Sequence, residues 1–230
     1  RVLLAAGEGV SAYDAGEVWH LLDQRYRVPC TVAEADRLPR LDLSRYNVIV
    51  MTSGTYDADL KAPLDRWVSG GGTLITLEGA ARWAKNQSLI DVDFKTTAPD
   101  SLPVAWEDRD ERRRARRIAG AIVWARLDTT HPLGWGYHRA EIPLFRDGEM
   151  FFKKVKDPQR VPLRYADAPL LAGYAHPVLL RELGGTAAVV VSPRGRGQVV
   201  SFADNPNFRA FWYGTNKLFA NALFFSPLMR

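Results

Sequence analysis

The sequence predicts an α/β domain, a three-layer sandwich built around a mostly parallel central sheet. Three observations carry this. Short apolar runs, Val2–Ala6, Asn47–Met51 and Thr73–Leu77, have the unbroken hydrophobicity of strands buried on both faces. Segments with helical spacing separate them, which is the pattern of strand–helix–strand crossovers. Near the end, Ala187–Ser192 and Gln198–Ala203 are joined by Pro193-Arg194-Gly195-Arg196-Gly197, a hairpin signal.

Each element has its own reason. After Val2–Ala6 comes a turn-like Gly7-Glu8-Gly9-Val10-Ser11, and then Val18, Leu21, Leu22 and Tyr26 recur at helical spacing. Thr31–Ala33 is a short second strand. The segment Ala58–Ser69 places Leu60, Leu64, Trp67 and Val68 on one helical face and ends at Gly70-Gly71-Gly72, where glycine can adopt the left-handed conformation that closes a helix. Gly79–Asn86 opens a further helix. Residues from about Leu89 to Arg117 are weakly periodic. Ile118–Leu127 reads as a strand, and Ile142–Val155 as a hairpin around Arg146-Asp147-Gly148. The last helix presents Phe208, Phe211, Trp212, Leu218, Phe219, Ala222 and Leu223, a stripe assigned to core packing. The chain is read as one domain, 1–230, with Ser88–Asp167 holding an insertion on the sheet.

Right-handed crossovers align the loops after Ala6, Met51 and Leu77 along one sheet edge. Open α/β sheets bind ligands at that edge, beyond the carboxyl ends of the strands.

Composition removes several function classes. The 230 residues are 47% hydrophobic and 25% charged, enough for a real core. No apolar run approaches the roughly 20 residues of a membrane span. One cysteine, Cys30, excludes a disulfide framework and a thiolate zinc cluster. The formal net charge is +5, but the stretch Glu107–Arg117 mixes acids with arginines and has no interleaved aromatic residue, so a solvated surface is expected there and not a nucleic-acid site. The chain starts directly in an apolar run without a Met, as expected of a piece of a longer or processed protein.

Four stretches together resemble one family. They are Gly16-Glu17-Val18-Trp19-His20-Leu21-Leu22, Gly71-Gly72-Thr73-Leu74-Ile75, Asp128-Thr129-Thr130-His131-Pro132-Leu133, and Phe202-Ala203-Asp204-Asn205-Pro206-Asn207-Phe208 continuing to Gly214. The family is the class I glutamine-amidotransferase-like domain, flavodoxin-like in fold, found C-terminal to bacterial zinc carboxypeptidases of the carboxypeptidase-A-like class. The resemblance spans nearly the whole chain, and Phe202–Gly214 is its most specific part.

Active class I amidotransferases place a cysteine on a strained strand-to-helix elbow, where the helix N-terminus favours the thiolate. A histidine and a glutamate after a late strand complete the triad. Here the matching elbow is Leu77-Glu78-Gly79-Ala80-Ala81-Arg82-Trp83, with no Cys, Ser or Thr. The His-Pro-Glu pattern is matched by Asn205-Pro206-Asn207. Asparagine can neither accept a proton as a general base nor orient an imidazole as a carboxylate does. The triad positions, Glu78, Gly79, Asn205 and Asn207, are therefore degenerate, and no catalytic residue is assigned. Cys30 precedes the second strand, on neither turn, and reads as an ordinary small thiol.

A crevice site without amidotransferase chemistry stays open. Glu8, Ser11, Tyr13, Asp14 and Glu17 follow the first strand. Glu78, Arg82 and Trp83 follow Leu77, and Asp204, Asn205 and Arg209 follow Ala203. Acids facing arginines there would hold a polar ligand or simply close the crevice, with Asp14 capping the first helix and Asp204 or Asn205 the last. Gly7-Glu8-Gly9 is too short for a dinucleotide fingerprint.

Metal binding has one weak candidate. His138-Arg139-Ala140-Glu141 has the His-x-x-Glu spacing of carboxypeptidase-A-like zinc ligands, but the only later histidine, His176, is too close and precedes Pro177. His131 is expected as a turn residue satisfied by the backbone, and His20 as a half-buried helix residue.

The resemblance implies a non-catalytic accessory domain that packs on, or places substrate for, a peptidase domain of the same parent. Zinc would then lie in that domain, no cofactor in this one, and the parent would be periplasmic or secreted. Trp106, Trp135, Phe151 and Phe152 are candidates for the contact, since aromatic residues are enriched in interfaces, and equally for the core of the insertion. Two other functions are carried from the residues: a hydrolase or transferase using Glu78 or Glu8, and a small-ligand sensor.

Overall fold

The computed structural model describes residues 1–95, 103–148, 150–155 and 157–229. Among the described residues, nine strands form one sheet: β1 (Val2–Ala6), β2 (Cys30–Glu34), β3 (Val48–Met51), β4 (Thr73–Leu77), β5 (Ile118–Leu127), β6 (Glu141–Arg146), β7 (Leu163–Ala175), β8 (Ala187–Arg194) and β9 (Gly197–Phe202). Their order is β2-β1-β3-β4-β9-β8-β7-β5-β6. The pairs β1–β2, β1–β3, β3–β4 and β4–β9 are parallel; those beyond β9 are antiparallel.

The unbroken apolar runs are explained by two cores, one on each face. Along β1, Val2 and Leu4 enter one core while Leu3 and Ala5 enter the other, as the two-residue pleat requires. The first core is closed by α1 (Ala12–His20), its π-helical continuation Leu21–Tyr26, and α6 (Asn216–Phe225). The second is closed by α2 (Lys61–Ser69) and α3 (Gly79–Asn86) through Leu64, Val68, Ala80 and Trp83. Two shorter helices, α4 (Arg109–Ala115) and α5 (Pro177–Leu183), accompany the antiparallel half.

Polar anchors fix the layers. Asp65 on α2 takes a two-pronged bond from Arg194 on β8, at 2.5 and 2.7 Å. Thr76 and Ser201 share a buried hydroxyl bond of 2.8 Å between β4 and β9.

Several sequence expectations need correction. The second limb of the expected Ile142–Val155 hairpin is not a strand partner of β6; β6 pairs with β5, and Phe152 bridges only to Phe94. The long strand β7 has no counterpart among the expected strands, because Asp167, Pro169 and Gly173 interrupt its pattern and its register is bulged. Of the four aromatic residues read as interface or core, Phe151 and Phe152 are fully buried core residues, whereas Trp106 and Trp135 are exposed. The last helix starts at Asn216, so Phe208, Phe211 and Trp212 lie in irregular turns and not on its buried stripe. Arg209 and Ala210 have positive φ (48° and 54°), which breaks the helix there.

Candidate functional site at the carboxyl edge

Because β1, β3, β4 and β9 run parallel, the loops after Ala6, Met51, Leu77 and Phe202 reach one edge together. The loops after β1 and β3 are locked by an isolated bridge between Val10 and Gly54. A Cβ on Gly54 would lie 2.8 Å from the Gly9 carbonyl oxygen and 2.9 Å from the Val10 Cα, so only glycine permits this approach.

Glu78 stands at the centre. Its backbone has φ 48° and ψ −116°, in a region that non-glycine residues rarely occupy. That is the sharp strand-to-helix elbow expected between β4 and α3, and its N–H donates to the Phe202 carbonyl at 2.9 Å. Such geometry costs on the order of 1–3 kcal/mol and persists because the surroundings impose it.

The Glu78 carboxyl is largely buried. Ser53 Oγ donates to its Oε2 (2.9 Å) and accepts from the Gly79 N–H (3.3 Å). Burial, then the charge of Asp14, outweighs the Ser53 bond, and Asp204 and Asp147 add to the repulsion; the pKa is pushed up to about 8. The carboxyl is therefore mostly protonated near neutral pH, able to donate as well as accept. Burial also raises Asp14, against its bonds to Ser11 and Ser53, and raises Glu17, against bonds from Arg209 and Asn205.

Glu17 joins the edge loops. It accepts from Asn205 Nδ2 (2.6 Å) and from the Arg209 backbone N–H (2.7 Å). Asn205 Oδ1 accepts from the Asn207 N–H (2.9 Å) in a local turn, and Asn207 Oδ1 accepts from Asn216 Nδ2 (3.2 Å). Asn205 and Asn207 thus hold the loop in shape.

Asp204 is held from the other side. Arg146, fully buried, donates through Nη1 to Asp204 Oδ1 (2.6 Å) and to the Tyr165 hydroxyl (2.7 Å), and through Nη2 to the Met150 carbonyl (2.6 Å). Tyr165 donates to Asp204 Oδ2 at 2.5 Å. The Arg146 guanidinium also sits 4.7 Å from the Phe151 ring centre. The aspartate next to it keeps Arg146 a cation despite burial.

The expected set is therefore only partly assembled. Asp14, Glu17, Glu78, Asp204 and Asn205 meet. Glu8 lies in a separate hollow of about 410 Å³ with Glu34, Asp36, Tyr56 and Asp57. Arg82 stands over Phe94 and Arg209 over Phe208, so neither guanidinium answers a crevice acid. Trp83 packs against Tyr56, with ring centres 5.8 Å apart, inside the second core. Tyr13 points into solvent. Asp14 does not cap α1: Ser11 does, accepting from the Asp14 N–H (3.3 Å). Neither Asp204 nor Asn205 caps α6, whose first residue follows Thr215 without a side-chain bond.

Ser53, Arg146, Asp147 and Tyr165 complete the site, and the sequence did not single them out. Ser53 could have been found, since it follows β3 at the ligand edge. Arg146 and Tyr165 could not, because their strands flank the antiparallel β5.

The remaining candidates lie elsewhere. His138 and Glu141 are exposed, Glu141 3.9 Å from Arg126. Among the described residues no group of three or more His, Cys, Asp or Glu is placed to hold a metal. His131 Nδ1 accepts from the Leu133 N–H (3.1 Å), a turn residue as expected. Cys30 is paired with Val2 at the start of the parallel strands, the opposite edge from Glu78, and burial, then Asp23, raises its thiol. No helix of the described chain is long and apolar enough to cross a membrane.

Comparison with solved structures decides the fold. A ThuA-like protein from Bacteroides uniformis matches 96% of this chain and 89% of its own, with TM-score 0.61 and 14% identity. PurLQS from Thermotoga maritima matches 98% of both chains, with TM-score 0.63 and 12% identity. The fold is amidotransferase-like. A GMP synthase protein from Thermoplasma acidophilum agrees, with 96% of this chain and 92% of its own covered at TM-score 0.57 and 10% identity. No protein-family model matches the sequence, and no curated protein matches it. Likeness at these identities establishes the amidotransferase-like fold alone.

Proposed function

We propose that this amidotransferase-like chain is a non-catalytic accessory domain, serving a zinc carboxypeptidase-like parent by docking on its peptidase domain or placing its substrate. The observation that carries the non-catalytic reading is the elbow. A carboxyl occupies the position where a thiolate would attack, and the groups acting on it are Ser53 and the acids Asp14, Asp204 and Asp147, with no histidine among them. The carboxypeptidase association rests on the resemblance of Phe202–Gly214 and the three other stretches. On this reading the zinc belongs to the parent's peptidase domain, the parent is exported, and this domain carries no cofactor.

Two experiments test the two halves. Purified protein incubated with glutamine should release no ammonia above a heat-treated control; release that Glu78→Gln abolishes would overturn the reading. The coding sequence upstream of Arg1 should encode a domain with a zinc-binding His-x-x-Glu, and its absence would remove the peptidase association.

One observation favours a second reading. Glu78 is a buried carboxyl with a pKa near the working range of a general acid, held in a strained turn at the ligand edge. Perturbed carboxyls in such positions serve as proton donors or as hydrogen-bond anchors for a small ligand. A Glu78-dependent turnover of an ester or glycoside panel would favour the enzyme form. Ligand-induced stabilisation lost in Glu78→Gln, without turnover, would favour the sensor form.

A further inference from the structure

Helix α4 is held in an unusual way. It has seven residues, and none of them is buried. A helix this short does not persist by its own hydrogen bonds, and helices in proteins are normally held by burying a face. Two bonds are made at its C-terminal end: Tyr174 Oη donates to the Ala115 carbonyl (2.7 Å), and the His176 N–H donates to the Arg117 carbonyl (3.1 Å).

Its charges are segregated. From the turn before the helix to the residues just after it, Glu107, Asp108, Asp110 and Glu111, with Arg109 among them, come first and the exposed Arg113, Arg114 and Arg117 come last; Asp110 and Arg113 pair with each other at 2.9 Å. Arg112 and Arg116 have partners of their own. Each end also has an apolar surface. At the acidic end Trp106 is 81% exposed, with the Arg109 guanidinium 4.8 Å from its ring centre. At the basic end, Tyr174 (50% exposed) leads back along β7 to the exposed Leu170 and Leu171.

We infer that this face is an interface between two copies of the chain, with their α4 helices packed antiparallel across a twofold axis. The pattern is self-complementary in that arrangement. The acidic half of one helix meets the basic half of the other, twice by symmetry. The same rotation carries Trp106 of one copy toward the Tyr174, Leu170 and Leu171 surface of the second, giving two aromatic anchors of the kind that dominate interfaces. A partner of single charge fits less well. An anionic membrane or acidic protein would be repelled by the four acids of the N-terminal half, and a cationic one by the arginines.

The test is the oligomeric state of the purified chain, measured by sedimentation from about 1 to about 200 µM. A dimer is expected that weakens between about 50 and about 500 mM salt, because salt screens the charges that pair the two helices. Arg113→Glu with Arg114→Glu removes most of the positive charge from the basic end, and Asp110→Arg with Glu111→Arg reverses half of the acids at the other. Each double variant should dimerise at least tenfold more weakly, and an equimolar mixture of the two should form a heterodimer. Trp106→Ala should weaken the dimer about tenfold as well. Only exposed side chains are changed, and unchanged thermal unfolding of the monomeric variants shows that they remain folded. A wild-type chain that stays monomeric throughout, a dimer indifferent to both charge reversals, or variants that fail to pair when mixed would each overturn the inference.

Discussion

Replacing Glu78 with glutamine should change how stability depends on pH. In the folded chain the carboxyl titrates at about 8, against 4.5 for the unperturbed group. A raised acid binds its proton more tightly when folded than when unfolded. Its stabilising effect is therefore complete below about pH 4.5 and is lost as pH climbs toward 8. The slope inside that window is about 1.4 kcal/mol per pH unit. Between pH 6 and pH 9 the loss from this one group is then roughly 2–3 kcal/mol. Glutamine keeps the size and a bond with Ser53 but cannot ionise, so the variant should lack this decline. Urea unfolding of both proteins at pH 6, 7.5 and 9 measures the difference directly. The variant should gain roughly 2 kcal/mol on the wild type between the two extremes. Asp14, Glu17 and Asp204 also have raised values, and their titration is common to both proteins. Parallel curves for the two proteins would refute the claim that Glu78 is protonated by burial and by its acidic neighbours.

Three further outcomes are expected. Arg146→Met leaves Asp204 buried against Tyr165 without its cation, and should cost about 3–5 kcal/mol in chemical denaturation; a loss below about 1 kcal/mol would show that the pair is solvated. Gly54→Ala drives a methyl into the backbone of Gly9 and Val10, so a fall in stability of about 1–3 kcal/mol is expected, read as a lower thermal midpoint. Cys30, with its thiol pushed up by burial, should react with a disulfide reagent more slowly at pH 7.5 than an exposed cysteine, and Cys30→Ser should leave folding intact; fast labelling would contradict this.

The legible part of the fold was the part with strong local periodicity. Strands Val2–Ala6 and Thr73–Leu77 and the closing hairpin appear at the expected places, because a strand buried on two faces must be apolar at every position. The helix over Gly79–Asn86 also stands as read. Less legible were β7 and the start of α6. Strand β7 bulges and is exposed on both faces over Leu170–Tyr174, so neither alternation nor a continuous apolar run marks it. The aromatic run Phe208–Trp212 has helical spacing, yet Phe208 stacks on Phe145 at 3.7 Å and Phe211 is mostly solvent-facing. That contact with another strand overrides local spacing.

By itself the sequence determined the α/β class, the edge where the candidate site lies, and that the elbow holds no cysteine and the late loop no histidine. These depend on residue type and on the direction of the strands, and both can be read along the chain. Only the tertiary structure decided which acids share a field, that Arg146 reaches Asp204 across the sheet while Arg82 and Arg209 do not, and that Glu78 is desolvated enough to hold its proton. A carboxyl's pKa depends on water excluded and charges brought close by residues far apart in the chain, and no local pattern records those distances.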